Sequence, residues 1–302
     1  MNLTMNSRNL PNAIDDADFL PRQVLRDGIP VEKGIEVTTT FLDKNEKLIE
    51  KYLNFWMLYP DCFLDAIAPT DSPIKLFFYQ RIALRACIRY RYHSFTATRA
   101  TSKSFIAMLS LILRAIFLPG SKLFTCADVK GTAIKITRQK IEEIFTFWPL
   151  LRNEVASIKE STDYIELTFK NGSIFSIVSM SSAGRGTRST AGVVEESALI
   201  DGVALQEIIL PMMNIDRRDA KGRIVPGETN QQQTYITTAG DKTCFMYQKL
   251  VEMTAMECIQ PEEYFVWGMD YRVPVYHGLL SKKFLDEQRL SQTMDENSFA
   301  RE

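Results

Sequence analysis

Cysteine pairs, histidine clusters, long apolar runs and net charge are all missing from this 302-residue sequence, and each absence removes a class of protein. The five cysteines, Cys62, Cys87, Cys126, Cys244 and Cys258, are scattered with no CxxC pair. That is the usage of a reducing compartment, and it argues against a disulfide framework. With only His93 and His277 to add, a Cys/His zinc centre lacks ligands. The N-terminus, MNLTMNSRNLPNAIDDADF, carries no apolar segment of the signal-peptide kind. The most apolar stretch, Phe105 to Leu118, is broken by Arg114 and is too short to span a bilayer, so it reads as a buried helix and no membrane partner is expected. Net charge is −1, so the chain as a whole has no electrostatic bias toward nucleic acid.

What is present is an ordinary globular composition, 45% hydrophobic and 24% charged, in a chain long enough for one large α/β domain with appendages. Residues 1 to about 30 are polar and rich in Asn, Asp and Pro. Helical spacing of Leu48, Tyr52, Phe55 and Trp56 follows, and Pro60, Pro69 and Pro73 then predict a loop. From Lys75 onward helical and strand patterns alternate. Helices are predicted from 82 to 92, 104 to 117, 130 to 147, 204 to 213 and 241 to 256. Strands are predicted from 94 to 98, 122 to 127, 192 to 195 and 234 to 238, and a hairpin turns at Asn171-Gly172 between 164–169 and 173–179. Such alternation implies a mostly parallel sheet with helices on both faces. The expected division is an N-terminal arm and helical subdomain over 1–74, a core over 75–257, and a C-terminal lid or linker over 258–302.

Five segments carry chemistry. Thr98-Arg99-Ala100-Thr101-Ser102-Lys103-Ser104 follows a predicted strand and opens an apolar helix, where backbone amides and a helix N-terminus face phosphate. Lys103 would reach the β- and γ-phosphates and the Ser104 hydroxyl would bind Mg²⁺. Both glycines of GxxxxGK[ST] are missing, with Ala97 and Ser102 in their places; read alone, the segment also fits a capped surface helix. Upstream, Tyr79-Gln80 could stack on adenine and read its edge through the amide. About 90 residues after Lys103 a short apolar strand ends in Glu195-Glu196, one acid suited to Mg²⁺ and the next to polarising water. Thr237-Thr238 closes the next strand, where hydroxyls can sense a γ-phosphate, and Ser182 to Arg188 forms a basic loop able to carry an arginine finger.

In this order the segments resemble the large terminase subunit of tailed bacteriophages. That family shows a Tyr-Gln adenine motif, a deviant P-loop with an Arg four residues before its Lys, an Arg-Gly loop, an apolar strand ending in Asp-Glu, and a Thr-Thr coupling motif. Their counterparts are Tyr79-Gln80, Arg99 with Lys103-Ser104, Arg185-Gly186, Glu195-Glu196 and Thr237-Thr238, spread over residues 75 to 245. The departures are Ser102 for a glycine and Glu195 for an aspartate.

The resemblance implies a P-loop NTPase fold of the ASCE, RecA-like kind with a small N-terminal helical subdomain. It also implies an ATPase motor that translocates double-stranded DNA into a procapsid with Mg²⁺. Thr98 to Ser104, Tyr79 and Gln80 would hold ATP, Ser104 and Glu195 the metal, and Glu196 the attacking water. Arg99 would act in cis, Arg185 or Arg188 in trans, and Thr237 and Thr238 would relay loss of the γ-phosphate. Portal protein, small terminase subunit and a homo-oligomeric ring are the implied partners, in the host cytoplasm. The family's C-terminal nuclease does not fit in the residues after the coupling motif, so no nuclease activity is expected of this chain.

Charge adds a local signal. Between Lys75 and Lys140 thirteen basic residues face one acid, Asp128, an excess of +12 that fits a DNA backbone or an acidic subunit interface. A helicase-type ATPase and a degenerate, non-hydrolysing NTPase fold that binds DNA are the alternatives.

Overall fold

The computed structural model describes residues 51–69, 74–127, 130–161, 164–179, 188–219, 222–225 and 228–290. The N-terminal arm and most of the Ser182–Arg188 loop, including Arg185, lie outside them.

A helical stretch over 51–58 leads into α1, Pro60–Ile67. The prolines here predict a loop, but Pro60 occupies the first turn of α1, where its missing N–H has no intrahelical partner to lose. Helix α2, Phe78–Arg89, starts four residues earlier than its apolar spacing suggests because the Gln80 side chain accepts the backbone N–H of Phe77 at 2.9 Å and caps the first turn.

Strand β1, Tyr92–Ala97, then runs into a short loop and α3, Lys103–Phe117. Next come β2, Lys122–Ala127, α4, Lys130–Phe147, α5, Pro149–Asn153, and three strands, β3, Val155–Ser161, β4, Tyr164–Phe169, and β5, Ile174–Ser179. Strand β6, Ala191–Glu195, is followed by a 3₁₀ turn and α6, a helical run from Gly202 to Met212 whose middle, Leu205–Ile209, is wound as a π-helix. Pro211 supplies the cause, since it cannot donate the α-type bond that would continue the run. The described chain ends with β7, Gln232–Thr237, α7, Phe245–Ile259, β8, Tyr264–Met269, α8, Arg272–Tyr276, and α9, Lys282–Leu290.

The eight strands form one sheet in the order β3-β4-β5-β2-β6-β7-β1-β8. From β5 to β8 all neighbours are parallel, while β4 pairs antiparallel with both β3 and β5. The Asn171-Gly172 turn is as predicted. Gly172 takes φ 81°, and the Asn171 amide donates to the Ala115 and Ile116 carbonyls, closing the C-terminal end of α3. The sheet also continues beyond residue 257, because β8 pairs with β1 along its whole length. The segment expected to be lid or linker therefore contributes a strand.

Side chains on the central strands alternate between two cores, as the period of two requires. Leu123, Ala191, Val193 and Ile236 face α3, while Phe124, Cys126, Val194 and Tyr235 face α6 and α7. Helix α3 is buried nearly all round, from Phe105 to Ala115, which accounts for its lack of a polar face. Gly192 leaves room for the Phe124 ring, whose Cε1 would lie 2.4 Å from a Cβ there. Beside β8, His93 is fully enclosed, and burial pulls its imidazole down to about 3. Nε2 of the neutral ring accepts the Trp267 indole N–H at 2.9 Å, leaving Nδ1–H toward Cys87 Sγ at 3.4 Å. This histidine holds the outer strand in place.

Candidate nucleotide site

Parallel α/β sheets bind ligands beyond the carboxyl ends of their strands, where connections leave in opposite directions. Here β1 connects across the sheet to β2, and β7 connects over β1 to β8. The carboxyl ends of β6, β7 and β1 are adjacent in that region. They carry Glu195, Thr237 and Ala97, followed by the 98–102 loop.

The loop shows why glycine is usual in such a turn. Ala100 and Ser102 take φ 63° and 60°, the left-handed region that costs a side-chain-bearing residue about 1–2 kcal/mol. The Thr101 hydroxyl steadies the turn by donating to the Thr98 carbonyl at 2.8 Å. Lys103 is buried, and its ammonium donates to the carbonyls of Ala97 at 2.6 Å and Thr98 at 2.9 Å. Burial pulls that ammonium down to about 8; Glu196 and Glu195 oppose the shift and Arg99 adds to it. Arg99 itself is exposed beside the loop.

The contact that ties the two halves together is the Ser104 hydroxyl donating to Glu195 Oε2 at 2.9 Å, across 91 residues of sequence. Glu195 is 9% exposed and its other oxygen, Oε1, is buried without a partner. Burial pushes its carboxyl up to about 7, against the pull of the Ser104 hydrogen bond. On the loops that follow β1 and β6, Thr98 Oγ1 and Ser197 Oγ are likewise buried and unmet. Unmet hydrogen-bonding capacity clustered at one place marks a site that something else completes. Two hard oxygens, one hydroxyl and one carboxylate with a free lone pair, suit Mg²⁺, which takes few protein ligands and leaves its remaining positions to water and phosphate. No group of three or more His, Cys, Asp and Glu ligands is found among the described residues.

Glu196 follows on the same strand end but turns away from it, with φ 47° and ψ 44°. It is half-buried. The turn is pinned to the next strand because Thr237 Oγ1 accepts the Ala198 N–H at 3.2 Å. Gly240 lies so close that a Cβ there would sit 2.7 Å from Ala198 Cβ. Thr238 is half-buried just past β7. Tyr79 is buried, and its hydroxyl approaches the Thr101 carbonyl at 3.4 Å, joining α2 to the loop. Gln80 is buried too, with Oε1 engaged by Phe77.

Sequence reasoning missed two rings at this edge. Phe77 and His277 touch, with centroids 4.3 Å apart, and both stand beside Tyr79. A lone histidine far along the chain gives no signal; only the fold brings it here. Arg188 is exposed, and Arg185 lies outside the described residues.

The basic run is the main correction. Arg81 and Arg85 are held by Asp61 and Asp65, and Arg89 by the Leu58 carbonyl and the Tyr59 ring. Arg91 binds Gln231 and Glu263, and Arg114 is buried against Gln232 and the Thr229 carbonyl. Arg138 and Lys140 pair with Glu160 and Glu143. The excess of charge along the sequence is therefore not a bare positive stripe on the molecule.

Strand order, strand-end loop and buried hydroxyl–carboxylate pair together define an α/β P-loop NTPase fold. Within that class the fold is that of the large terminase ATPase domain. The Thermus phage P74-26 large terminase ATPase domain matches with 15% identity and a TM-score of 0.53, over 78% of this chain and 97% of that one. The large terminase from a thermophilic bacteriophage matches with 10% identity and a TM-score of 0.53, over 72% and 51%. The HK97 bacteriophage large terminase matches with 13% identity and a TM-score of 0.51, over 77% and 47%. The chain thus spans about half the length of these last two proteins. The thermophilic phage's terminase has also been solved in complex with ADP, and that structure matches with a TM-score of 0.52, 11% identity and coverage of 72% and 50%. Neither a protein-family model nor a curated protein matches the sequence. No helix among the described residues is long and apolar enough to cross a membrane.

Proposed function

We propose that this chain hydrolyses ATP and uses the energy to move double-stranded DNA into a viral procapsid. The observation that carries the reading is the Ser104–Glu195 hydrogen bond, which joins the loop after β1 to the acid at the end of β6. It leaves a buried carboxylate oxygen open. Buried polar atoms are usually met, and a buried carboxylate oxygen left open beside a phosphate-loop hydroxyl supports the reading.

In this reading Thr98 to Ser104 wrap the phosphates, and Lys103 exchanges its two carbonyl partners for phosphate oxygens. Arg99 adds charge from the exposed side. Ser104 and Glu195 hold Mg²⁺, which supplies charge neutralisation at the phosphates. Glu196 orients and deprotonates the attacking water, Arg185 or Arg188 reaches a neighbour's nucleotide, and Thr237 and Thr238 report the γ-phosphate to β7. Tyr79 lies under the base. Portal protein, the small terminase subunit and a ring of copies belong to the same proposal, as does a site of action in the host cytoplasm. The proposed domain limits are those expected from the sequence, with β8 added to the core.

The test is ATP turnover with Mg²⁺, with and without DNA, in wild type and Glu196→Gln. Wild type should hydrolyse ATP faster with DNA. The variant should still bind Mg-ATP but turn over about 10²–10⁴-fold more slowly, since the base is lost and its shape kept. A folded wild type that binds ATP without hydrolysing it, alone or with DNA, would instead establish the non-hydrolysing alternative.

A further inference from the structure

We propose that the nucleobase stacks on a platform formed by His277 and backed by Phe77, so that the segment following β8 takes part in binding ATP. This rests on the P-loop reading and names a contact that reading does not include.

Three observations converge. First, the platform is tied to the phosphate loop, because Tyr79 packs against both rings and its hydroxyl meets the Thr101 carbonyl. Second, the Gln80 amide oxygen is occupied by the Phe77 N–H. Gln80 therefore acts as a positioning residue for the backbone that carries the Phe77 ring. Third, His277 is delivered by the fold. Strand β8 runs parallel to β1 with Met269 opposite Ala97, so the chain leaves β8 at the same end of the sheet as the loop. Helix α8 follows at once, the His277 N–H donates to the Val273 carbonyl, and Gly278, at φ 69°, closes the helix directly behind it.

Phe77 and His277 are both half-exposed. At 4.3 Å between centroids the rings are in contact and tilted by 32°, so a base does not slip between them. The two rings cover each other's inner faces, so the base lies on the outer face of His277, where every base offers a π surface and stacking is worth about 1–3 kcal/mol per base. Tyr276, packed edge-on against His277 and 85% exposed, stands beside it. The consequence is that the segment after β8 is held by the nucleotide as well as by the sheet.

The experiment compares Mg-ATP with inorganic tripolyphosphate, which keeps the phosphates and lacks the base, on the whole 302-residue chain. Wild type should bind ATP more tightly than tripolyphosphate. His277→Ala should weaken ATP roughly 5- to 100-fold and leave tripolyphosphate unchanged, while His277→Phe should retain ATP affinity. ATP bound as tightly or more tightly by His277→Ala would overturn the platform. Wild type that binds both ligands equally would overturn the platform alone, and wild type that binds neither would overturn the P-loop reading with it. Should His277→Ala fail to fold, wild type still answers. The chain has two histidines, and His93 is locked neutral, so the His277 ring proton is assigned by elimination. ATP should shift that resonance through the base's ring current and tripolyphosphate should not; equal shifts overturn the proposal.

Discussion

The junction of α1 with α2 and the end of the sheet at Glu195 both bury charge, and they treat it in opposite ways. At the junction Asp61 is fully enclosed, yet both its oxygens are met: Arg85 donates from Nε at 2.7 Å and Nη2 at 2.6 Å, and Arg81 from Nη1 at 3.2 Å. Arg81 also forks onto Asp65, whose hydrogen bonds lead in holding its guanidinium above the usual range. At the sheet end Glu195 has one oxygen met and one not, its carboxyl is pushed up, and the Lys103 ammonium nearby is pulled down. A buried ion pair that is geometrically complete is architecture. A buried carboxylate left half-met, beside a loop with two left-handed residues, is the kind of place where functional sites concentrate.

The comparison breaks first at Lys103. Lys103→Ala should lower ATP turnover by at least about 10²–10³-fold, because an ammonium that neutralises phosphate is lost. Circular dichroism and the melting temperature should show a native fold. Turnover close to wild type in the folded variant would remove the loop from the mechanism.

Asp61→Ala should do the converse. It removes the shared partner of two arginines and should cost about 2–3 kcal/mol in denaturant unfolding. That lies below the range for a fully buried pair, since the arginines keep 23% and 32% exposure. ATP turnover per folded molecule should not change. A strong loss of turnover with full stability would mean that the junction belongs to the site.

pH separates the two regions further. Glu195 keeps its proton up to about 7 in the folded chain against an ordinary 4.5, so its burial lowers stability as pH rises from about 4.5 to 7. Lys103, at about 8 against 10.5, releases its proton early when folded, and its cost is relieved between about pH 8 and 10.5. Both costs are present in full between pH 7 and 8. Without Mg²⁺ or nucleotide, the melting temperature of Glu195→Gln should therefore gain on wild type from pH 5 to 7 and then level off. A constant difference across that window would contradict the burial of the charge.

The smallest effect is expected at the loop. Ser102→Gly relieves a left-handed residue at the cost of extra freedom in the unfolded chain, for a net gain of about 0.5–1 kcal/mol. Denaturant titration resolves that difference. A loss of stability would mean that the serine side chain contributes more than the strain it brings.

Much of this is legible in the sequence. Short apolar or β-branched runs mark β6 and β7, which are buried on both faces, and Asn171-Gly172 marks the hairpin, because both signals are local. Lys103, Ser104 and Glu195 are legible only through their order, since Lys-Ser and Glu-Glu pairs carry little information singly. What stays hidden depends on distant partners. Pro60 reads as a breaker because its place in the first turn depends on where the helix begins. In β3, Val155 and Ile158 are spaced by three because the register shifts between Val155 and Ser157, and the residues after Ile158 are polar, so no alternation is left to read. Strand β8 reads as a short aromatic run, and its role appears only when Phe95 is found stacked on Trp267 at 4.3 Å. Thirteen basic residues mislead because summed charge says nothing about pairing, and Asp61 and Asp65 lie outside the window from Lys75 to Lys140.

The joint between Glu196 and β7 has a mechanical character. The Ala198 N–H is anchored on Thr237, and Gly240 is packed so tightly on Ala198 that not even a methyl group fits between them. Such a joint has no backlash. Native packing is stiff, so the turn carrying Glu196 and the end of β7 are held at a fixed spacing. The N-terminal Phe245 of α7 would likewise crowd a Cβ at Gly202 to 2.6 Å. Both joints depend on a residue without a side chain, and a methyl group at either would have to push the two elements apart.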